Sequence, residues 1–227
     1  YRIQEKYSTP VLAHLTCVSS TREYVKGMVE EYRSKGIENI MALRGDIPKE
    51  GRTVFDYAHA SQLIYDIKSV APDICIGGAC YPEGHVECER QSEDILHLKE
   101  KVEAGCDFLT TQMFFDNNTL YNFLYRIREK GIEVPVLPGI MPITNVKQVA
   151  RSVALSGATI PQRFRTMVDR FGDDPAKMEQ AGVIYATEQI IDLIANNVNH
   201  IHVYSMNKPH IAAGIMKALS SIIMNNA

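Results

Sequence analysis

Six short apolar stretches recur along the chain, and each is rich in valine, isoleucine, leucine or methionine. Their apolar residues run continuously and do not alternate with polar ones, which is typical of strands covered on both faces. The pattern therefore predicts six buried β-strands. The stretches span residues 10–18, 39–46, 73–82, 108–116, 134–142 and 200–207.

Amphipathic segments with helical spacing separate the apolar stretches. In residues 21–35, Val25 and its helical neighbours form one apolar face, and Gly36 stands where the helix should end. Ser20 and Glu23 predict a capping box at its start. Further helices are predicted over residues 92–104, near 59–70, 118–130, 144–156, 175–197 and 208–224, and in an added helical excursion within 157–175.

Strands that alternate with helices predict βα units and a parallel sheet. The first five predicted strands begin about 26 to 35 residues apart, one βα unit each, as in a (β/α)₈ TIM barrel. About six βα units are present, fewer than the eight that close such a barrel. Residues 1–7 resemble the tail of a helix. We therefore expect a single catalytic barrel domain over residues 1–227, N-terminally incomplete by two βα units.

Net charge, hydropathy and cysteine content exclude several classes of partner. The chain has 227 residues and a formal net charge of −3, so no general attraction to nucleic acid or to an anionic membrane is expected. No long apolar run or basic leader is found, which favours a cytoplasmic protein. The five cysteines form no CxxC pair, so we expect reduced, buried thiols and no metal site.

Polar and aromatic residues follow the predicted strands. In such barrels the carboxyl ends of the strands carry the chemistry, so these residues are expected to converge on one active-site mouth. His14 lies inside the first apolar run. The groups at the strand ends are Arg44-Gly45-Asp46, Tyr81 to His85, Gln112 to Asp116, Pro138 to Pro142 and Tyr204 to Lys208.

Seven motifs in this order resemble methylenetetrahydrofolate reductase, over essentially the whole chain. The resemblance implies a TIM barrel that binds FAD and reduces 5,10-methylenetetrahydrofolate to 5-methyltetrahydrofolate. Hydride would pass from NADH or NADPH to FAD and then to folate by a ping-pong route. The motifs are "AHLTC", "ALRGD", "YPEGH", "LKEKVEAG", "TQMFFD", "PGIMPITNVKQ" and "YSMNK".

The "ALRGD" motif carries the predicted catalytic residue. By resemblance, Asp46 lies at the pyrimidine edge of the flavin and hydrogen-bonds the pterin, and a carboxylate can accept from two adjacent N–H groups. Its charge would also tune the flavin potential, whereas the alternative role is that of a helix N-cap. Gly45 would allow close approach of a ring or form a tight turn. Arg44 would bind the phosphate or the flavin carbonyls of the cofactor, or form a salt bridge across the rim of the barrel.

The resemblance implies further cofactor-binding residues. His14 would contact FAD or be hydrogen-bonded in the core. Asp94, His97 and Lys101 share one helix face that would border the adenosine half, with Lys101 as a phosphate partner, or form a solvated face. The family often has asparagine at His97 and arginine at Glu100, so this chain departs from the family pattern at both positions. The other cofactor-binding residues implied are Ala60, for which Ala58 is an alternative, Tyr81, His85 and Cys88.

Four residues besides Asp46 are implied in substrate binding. Gln112 would contact folate and nicotinamide in turn, because an amide both donates and accepts. Gln148 would contact folate or be a surface residue of its helix. Tyr204 and Lys208 end the last strand, and Lys208 stands where the family commonly has an arginine for the glutamate tail. Phe114 and Phe115 would wall the site or belong to the core.

Several alternatives stay open. The family's general acid is a glutamate of an upstream strand that is not in this sequence, and neither Glu83 nor Asp46 is given its role. A lyase or aldolase of the same fold would require a strand lysine or a metal cluster. The electron donor could also be a reduced partner protein, and a homo-oligomer is expected. The Arg-Gly-Asp tripeptide could also mark a receptor-binding module, although it ends a buried strand.

Overall fold

The computed structural model describes residues 1–46, 56–88 and 90–223, and of Gln91 and Leu155 the backbone alone. Strands and helices alternate along most of this part of the chain. The strands are β1 Leu12–Thr16, β2 Asn39–Leu43, β3 Cys75–Cys80, β4 Phe108–Thr111, β5 Val136–Leu137, β6 Gly139–Ile140 and β7 His202–Val203. The helices are α1 Arg2–Tyr7, α2 Arg22–Ser34, α3 Ala60–Val70, α4 Gln91–Glu103, α5 Asn117–Glu129, α6 Val146–Ser156, α7 Gln162–Phe171, α8 Pro175–Ala195 and α9 Pro209–Ile223.

Every predicted strand is present, but the stretch 134–142 is not one strand. It forms β5 and β6 on either side of Pro138, because proline has no N–H to donate to a neighbouring strand. The carbonyl of Pro138 instead accepts a hydrogen bond from the backbone N–H of His202 at 2.9 Å. The predicted helices are found as well, including the added helix α7.

The strands form parallel sheets. β1 to β5 are neighbours in chain order in a five-stranded sheet, and β6 pairs with β7 in a second one. The register places His14 beside Met41 in β1 and β2, and Gly139 beside His202 in β6 and β7. Each strand from β1 to β4 is followed by a helix, which confirms the predicted α/β class built from βα units.

The start of α2 corrects one prediction. The cap is Thr21, whose side chain accepts from the backbone N–H of Tyr24 at 3.2 Å, and it is not Ser20. The carboxylate of Asp56 accepts from the N–H of Arg22 at 2.9 Å, so a residue distant in sequence fixes where this helix begins. Gly36 follows the helix with φ of +68°, as its position predicted.

The described chain divides into two compact units. The first contains Tyr1–Cys80, Ser92–Thr110 and Lys130–Val136, and the second contains Tyr81–Gln91, Thr111–Glu129 and the residues from Leu137 on. The prediction of one domain stays a prediction. The core of the first unit includes fully buried residues of β2, α3, β3 and β4, among them Ile40, Ile64, Ile67, Ile76 and Leu109.

The core of the second unit is rich in aromatic and sulfur-containing side chains. The rings of Phe115 and Phe164 lie 4.8 Å apart, and Tyr185 contacts Phe164 edge-on at 4.9 Å. Phe114 and Phe115 are both buried. They therefore belong to the core, which was the second of the two roles predicted for them. The cluster consists of Phe115, Met141, Ile143, Ala158, Phe164 and Met178.

The five cysteines are free thiols, but they are not all buried as predicted. Cys17, Cys80 and Cys106 are buried, whereas Cys75 and Cys88 are half-buried. Burial raises the pKa of Cys17 and of Cys106 to about 11, which keeps both thiols protonated near neutral pH.

Candidate active site

In the first unit, the carboxyl ends of β1 and β2 stay paired beyond the strands. The N–H of Cys17 donates to the carbonyl of Leu43 at 2.9 Å, and that of Val18 donates to Arg44 at 3.0 Å. Gly45 then adopts φ of +81°, and a Cβ there would lie 3.1 Å from Cβ of Thr16. A tight turn therefore requires this glycine, whatever else approaches it.

The charged residues of this turn reach the surface to different extents. Asp46 is exposed, and Arg44 is half-buried. His14 on β1 is exposed, so its alternative role as a core histidine is wrong. Exposed side chains at the ends of neighbouring strands can meet a ligand, and the predicted roles of these three residues stay predictions.

Lys101 on α4 is half-buried. Its ammonium donates to the carbonyl of Ala79, next to the end of β3, at 2.6 Å. Burial lowers the pKa of Lys101, and the nearby Cys80, Cys106 and Asp94 offset part of that effect. An ammonium has three donors, so Lys101 can still hold a further oxygen.

His97, on the same helix, contacts a residue that the sequence analysis missed. Its ring stacks on His59 with 5.8 Å between the centroids, and its Nδ1 lies 3.3 Å from Oε2 of Glu100. His59 directly precedes Ala60, the half-buried first residue of α3. The signal for His59 was its place beside a residue already implicated in cofactor binding.

In the second unit, the loop after β3 carries the predicted Tyr81, His85 and Cys88, all half-buried. The rings of Tyr81 and His85 meet edge-on at 4.6 Å. Nδ1 of His85 accepts from the backbone N–H of Glu87 at 3.1 Å, so the neutral ring carries its proton on Nε2.

Gln112 and Tyr204 are close neighbours in this unit through Thr111. The hydroxyl of Tyr204 donates to the carbonyl of Thr111 at 2.8 Å, and the hydroxyl of Thr111 accepts from the N–H of Gly139 at 2.8 Å. A Cβ on Gly139 would lie 2.6 Å from the Tyr204 ring, so only glycine leaves room for it. The side-chain oxygen of Gln112 accepts from the N–H of Met113 at 3.0 Å.

Gln148 and Lys208 are joined by Thr144, a second residue that the sequence analysis missed. The ammonium of Lys208 donates to the hydroxyl of Thr144 at 2.8 Å, and that hydroxyl donates to Oε1 of Gln148 at 3.1 Å. Oε1 also accepts from the N–H groups of Thr144 and Asn145, so Gln148 completes a capping box of α6. Gln148 is half-buried on its helix, and both of its interpretations stay predictions.

The predicted site residues are shared between the two units. His14 lies within β1, and the other members lie just beyond the carboxyl ends of strands or on the following helix, as parallel strands require. The first unit holds His14, Arg44, Gly45, Asp46, Ala60, Asp94, His97 and Lys101, and the second holds Tyr81, His85, Cys88, Gln112, Gln148, Tyr204 and Lys208.

A lyase or aldolase of the same fold would require a metal cluster or a lysine within a strand. Across residues 1–46, 56–88 and 90–223, no group of three or more metal-ligating side chains is close enough to hold an ion. The seven described strands contain no lysine. Within the same ranges, every helix is too short or too polar to cross a membrane.

Comparison with known proteins gives a consistent result. A sequence model described as methylenetetrahydrofolate reductase matches residues 1–220. The 5,10-methylenetetrahydrofolate reductase of Pectobacterium carotovorum is 33% identical over 217 residues, covering 96% of this chain and 72% of that protein. Methylenetetrahydrofolate reductase 1 of Schizosaccharomyces pombe is 35% identical, covering 99% of this chain but only 38% of that protein.

A solved structure shares the fold. An uncharacterized Clostridium thermocellum protein that binds two copies of 5-methyltetrahydrofolate superposes with a TM-score of 0.58 at 18% identity. The likeness covers 95% of this chain and 75% of that one. With the family match, it confirms the predicted α/β fold class, a parallel sheet built from βα units. The chain therefore belongs to the methylenetetrahydrofolate reductase family of oxidoreductases.

Proposed function

We propose that this chain reduces 5,10-methylenetetrahydrofolate to 5-methyltetrahydrofolate, with FAD as cofactor and NADH or NADPH as hydride donor. Family membership supports the reaction class. Because the chain spans as little as 38% of a fungal relative, the activity of the whole protein is part of the proposal. A folate ligand is supported by the related fold that binds 5-methyltetrahydrofolate.

One observation carries the proposal. Four residues implied in substrate binding lie beyond the ends of β4, β6 and β7 within one unit. Hydrogen bonds to Thr111 and Thr144 hold three of them, and the fourth, Gln112, accepts from the N–H of Met113. Such an array offers a phenol, two amides and an ammonium, which suits a ligand with a polar ring and a carboxylate tail. The residues are Gln112, Gln148, Tyr204 and Lys208.

The residues present fit a flavin dinucleotide. Lys101 has ammonium donors beyond the one that Ala79 accepts, which suits phosphate oxygens. By resemblance to the family, the imidazole of His85 would meet a phosphate or ribose oxygen. Bound FAD would supply the chemistry of accepting and passing on a hydride, and these residues would hold it in place.

The substrate-side roles follow from charge and donor pattern. Asp46, exposed at the end of β2, would accept from two adjacent N–H groups of the pterin. Gln112 would serve nicotinamide and folate in turn, because it can donate or accept. Lys208, held by Thr144, would neutralise a carboxylate of the folate tail. Protonation of the folate nitrogen is assigned to no residue of this chain.

The test separates the two half-reactions. The full-length protein, purified under anaerobic conditions, should carry a yellow flavin whose absorption NADH or NADPH bleaches and methylenetetrahydrofolate restores. A chain without flavin, or a flavin that neither reagent affects, would contradict the proposal. If only a reduced partner protein bleaches the flavin, that protein and not NADH or NADPH is the electron donor. The folate half-reaction of the proposal would then be unaffected.

A further inference from the structure

Glu83 makes a contact that no role in cofactor or substrate binding explains. Its two carboxylate oxygens lie 3.0 and 2.8 Å from the backbone nitrogen of Thr159, and Oε2 also accepts from the Thr159 hydroxyl at 2.6 Å. The two residues are 76 positions apart. An ionised acceptor shared by an amide and a hydroxyl makes a stronger contact than neutral pairs do.

The loop that contains Glu83 is built from two turns. The N–H of Gly84 donates to the carbonyl of Tyr81 at 3.0 Å, and that of Cys88 donates to His85 at 2.9 Å. Glu83 lies between Tyr81 and His85, the two rings that meet edge-on. A contact that holds Glu83 therefore restrains the loop between its two aromatic residues.

The partner of Glu83 lies on a well-fixed part of the second unit. Ala158, next to Thr159, is buried in the aromatic cluster, and Ile160 packs against the same cluster. The N–H of Ala158 donates to the hydroxyl of Ser156 at 3.1 Å. Residues 158–160, between α6 and α7, thus give the loop a fixed point of attachment.

A second contact reinforces the same attachment. Val86 packs over Gly157, where an added Cβ would lie 3.1 Å from the valine methyl group. Val86 is 55% exposed, so this apolar contact is modest.

We propose that Glu83 is a positioning residue for cofactor binding, which anchors the loop 81–88 to Thr159 and so presents Tyr81 and His85 to the flavin. This inference rests on the proposed function. Because the anchor orders the loop before the cofactor arrives, it lowers the ordering cost of binding. Its loss should weaken flavin affinity and leave the turnover of the flavin-saturated enzyme unchanged.

The experiment compares Glu83→Ala, Glu83→Gln and Thr159→Val with the parent in the full-length protein. Glu83→Ala should raise the dissociation constant for FAD about tenfold, the size expected for losing hydrogen bonds to a charged group. Glu83→Gln and Thr159→Val each keep part of the contact and should raise it roughly threefold. Glu133→Ala removes an exposed carboxylate elsewhere and should change nothing.

Amide hydrogen exchange without cofactor gives a second measurement. In Glu83→Ala, the amides of Thr159, Gly84 and Cys88 should exchange faster than in Glu133→Ala, while the amides of α8 in the same unit exchange as in the parent. Unchanged exchange, or faster exchange with unchanged FAD affinity, would overturn the inference. Weaker FAD binding with faster exchange throughout the unit would show a merely structural role. If the parent binds no FAD, the proposed function fails as well.

Discussion

The hydroxyl of Tyr204 donates a hydrogen bond to the carbonyl oxygen of Thr111, across 93 positions of the chain and a distance of 2.8 Å. This bond ties the end of β7 to the end of β4, directly before Gln112. It gives Tyr204 a structural role in addition to the proposed contact with folate.

Replacing Tyr204 with phenylalanine should therefore have two effects. The unfolding free energy should fall by about 1 kcal/mol, because a buried carbonyl loses its donor, and the KM for folate should rise. Denaturant unfolding and steady-state kinetics would measure them. Tyr7→Phe, at a 62% exposed position, is the control and should change neither. Equal stability of Tyr204→Phe and the parent would contradict the structural role.

Gly139→Ala should disturb the same place more strongly. The added Cβ would lie 2.4 Å from the carbonyl oxygen of Thr111 and 2.6 Å from the Tyr204 ring, so the backbone must shift. We expect a loss of about 2 kcal/mol or more, measured by denaturant unfolding. Gly27→Ala, inside α2 with no atom within 4 Å, should instead stabilise by about 0.5–1 kcal/mol.

Thr144→Val should separate binding from turnover. It removes the hydroxyl that accepts from Lys208 and donates to Gln148, so the ammonium loses its fixed position. We expect the KM for folate to rise about five- to tenfold with kcat nearly unchanged. Thr144→Ser keeps the hydroxyl and should behave like the parent. A fall in kcat at constant KM would argue against a role in tail binding.

Asp46→Asn tests the proposed catalytic residue. The amide keeps the shape but loses the negative charge and one acceptor, so the variant should still bind FAD and be bleached by NADH. Reoxidation by methylenetetrahydrofolate should slow by about tenfold or more, measured by stopped-flow absorbance. Unchanged reoxidation would remove Asp46 from the mechanism.

The contact between α5 and α8 should make stability depend on pH. Hydrogen bonds from Asn117 and Tyr121 hold the pKa of Asp192 below its usual value. Since the folded state then binds this proton less tightly than the unfolded chain, the carboxylate stabilises the fold above the unfolded pKa. That contribution is lost as the pH falls through the lowered folded value.

The melting temperature of Asp192→Asn should accordingly lie below that of the parent at neutral pH. The difference should shrink as the pH falls below about 4, the ordinary aspartate value. Asp169→Asn changes an exposed carboxylate of α7 and provides the control. A difference that stays constant with pH would show that the charge of Asp192 is not what matters.

The sequence by itself determined the elements and their order. Continuous apolar runs and helical spacing act over a few residues, so β1 to β4, the helices between them and the stop at Gly36 could be read directly. Because parallel strands place their carboxyl ends together, the same pattern singled out Asp46, Gln112 and Tyr204 as strand-end residues.

Only the tertiary structure decided which side chains fix these residues. Thr111 is 93 positions from Tyr204, Thr144 is 64 positions from Lys208, and Thr159 is 76 positions from Glu83. The predicted cap was Ser20, and the observed cap, Thr21, goes with a hydrogen bond from the backbone N–H of Arg22 to the distant Asp56. Hydrogen bonds of this kind depend on how strands and loops pack, which no local pattern of residues specifies.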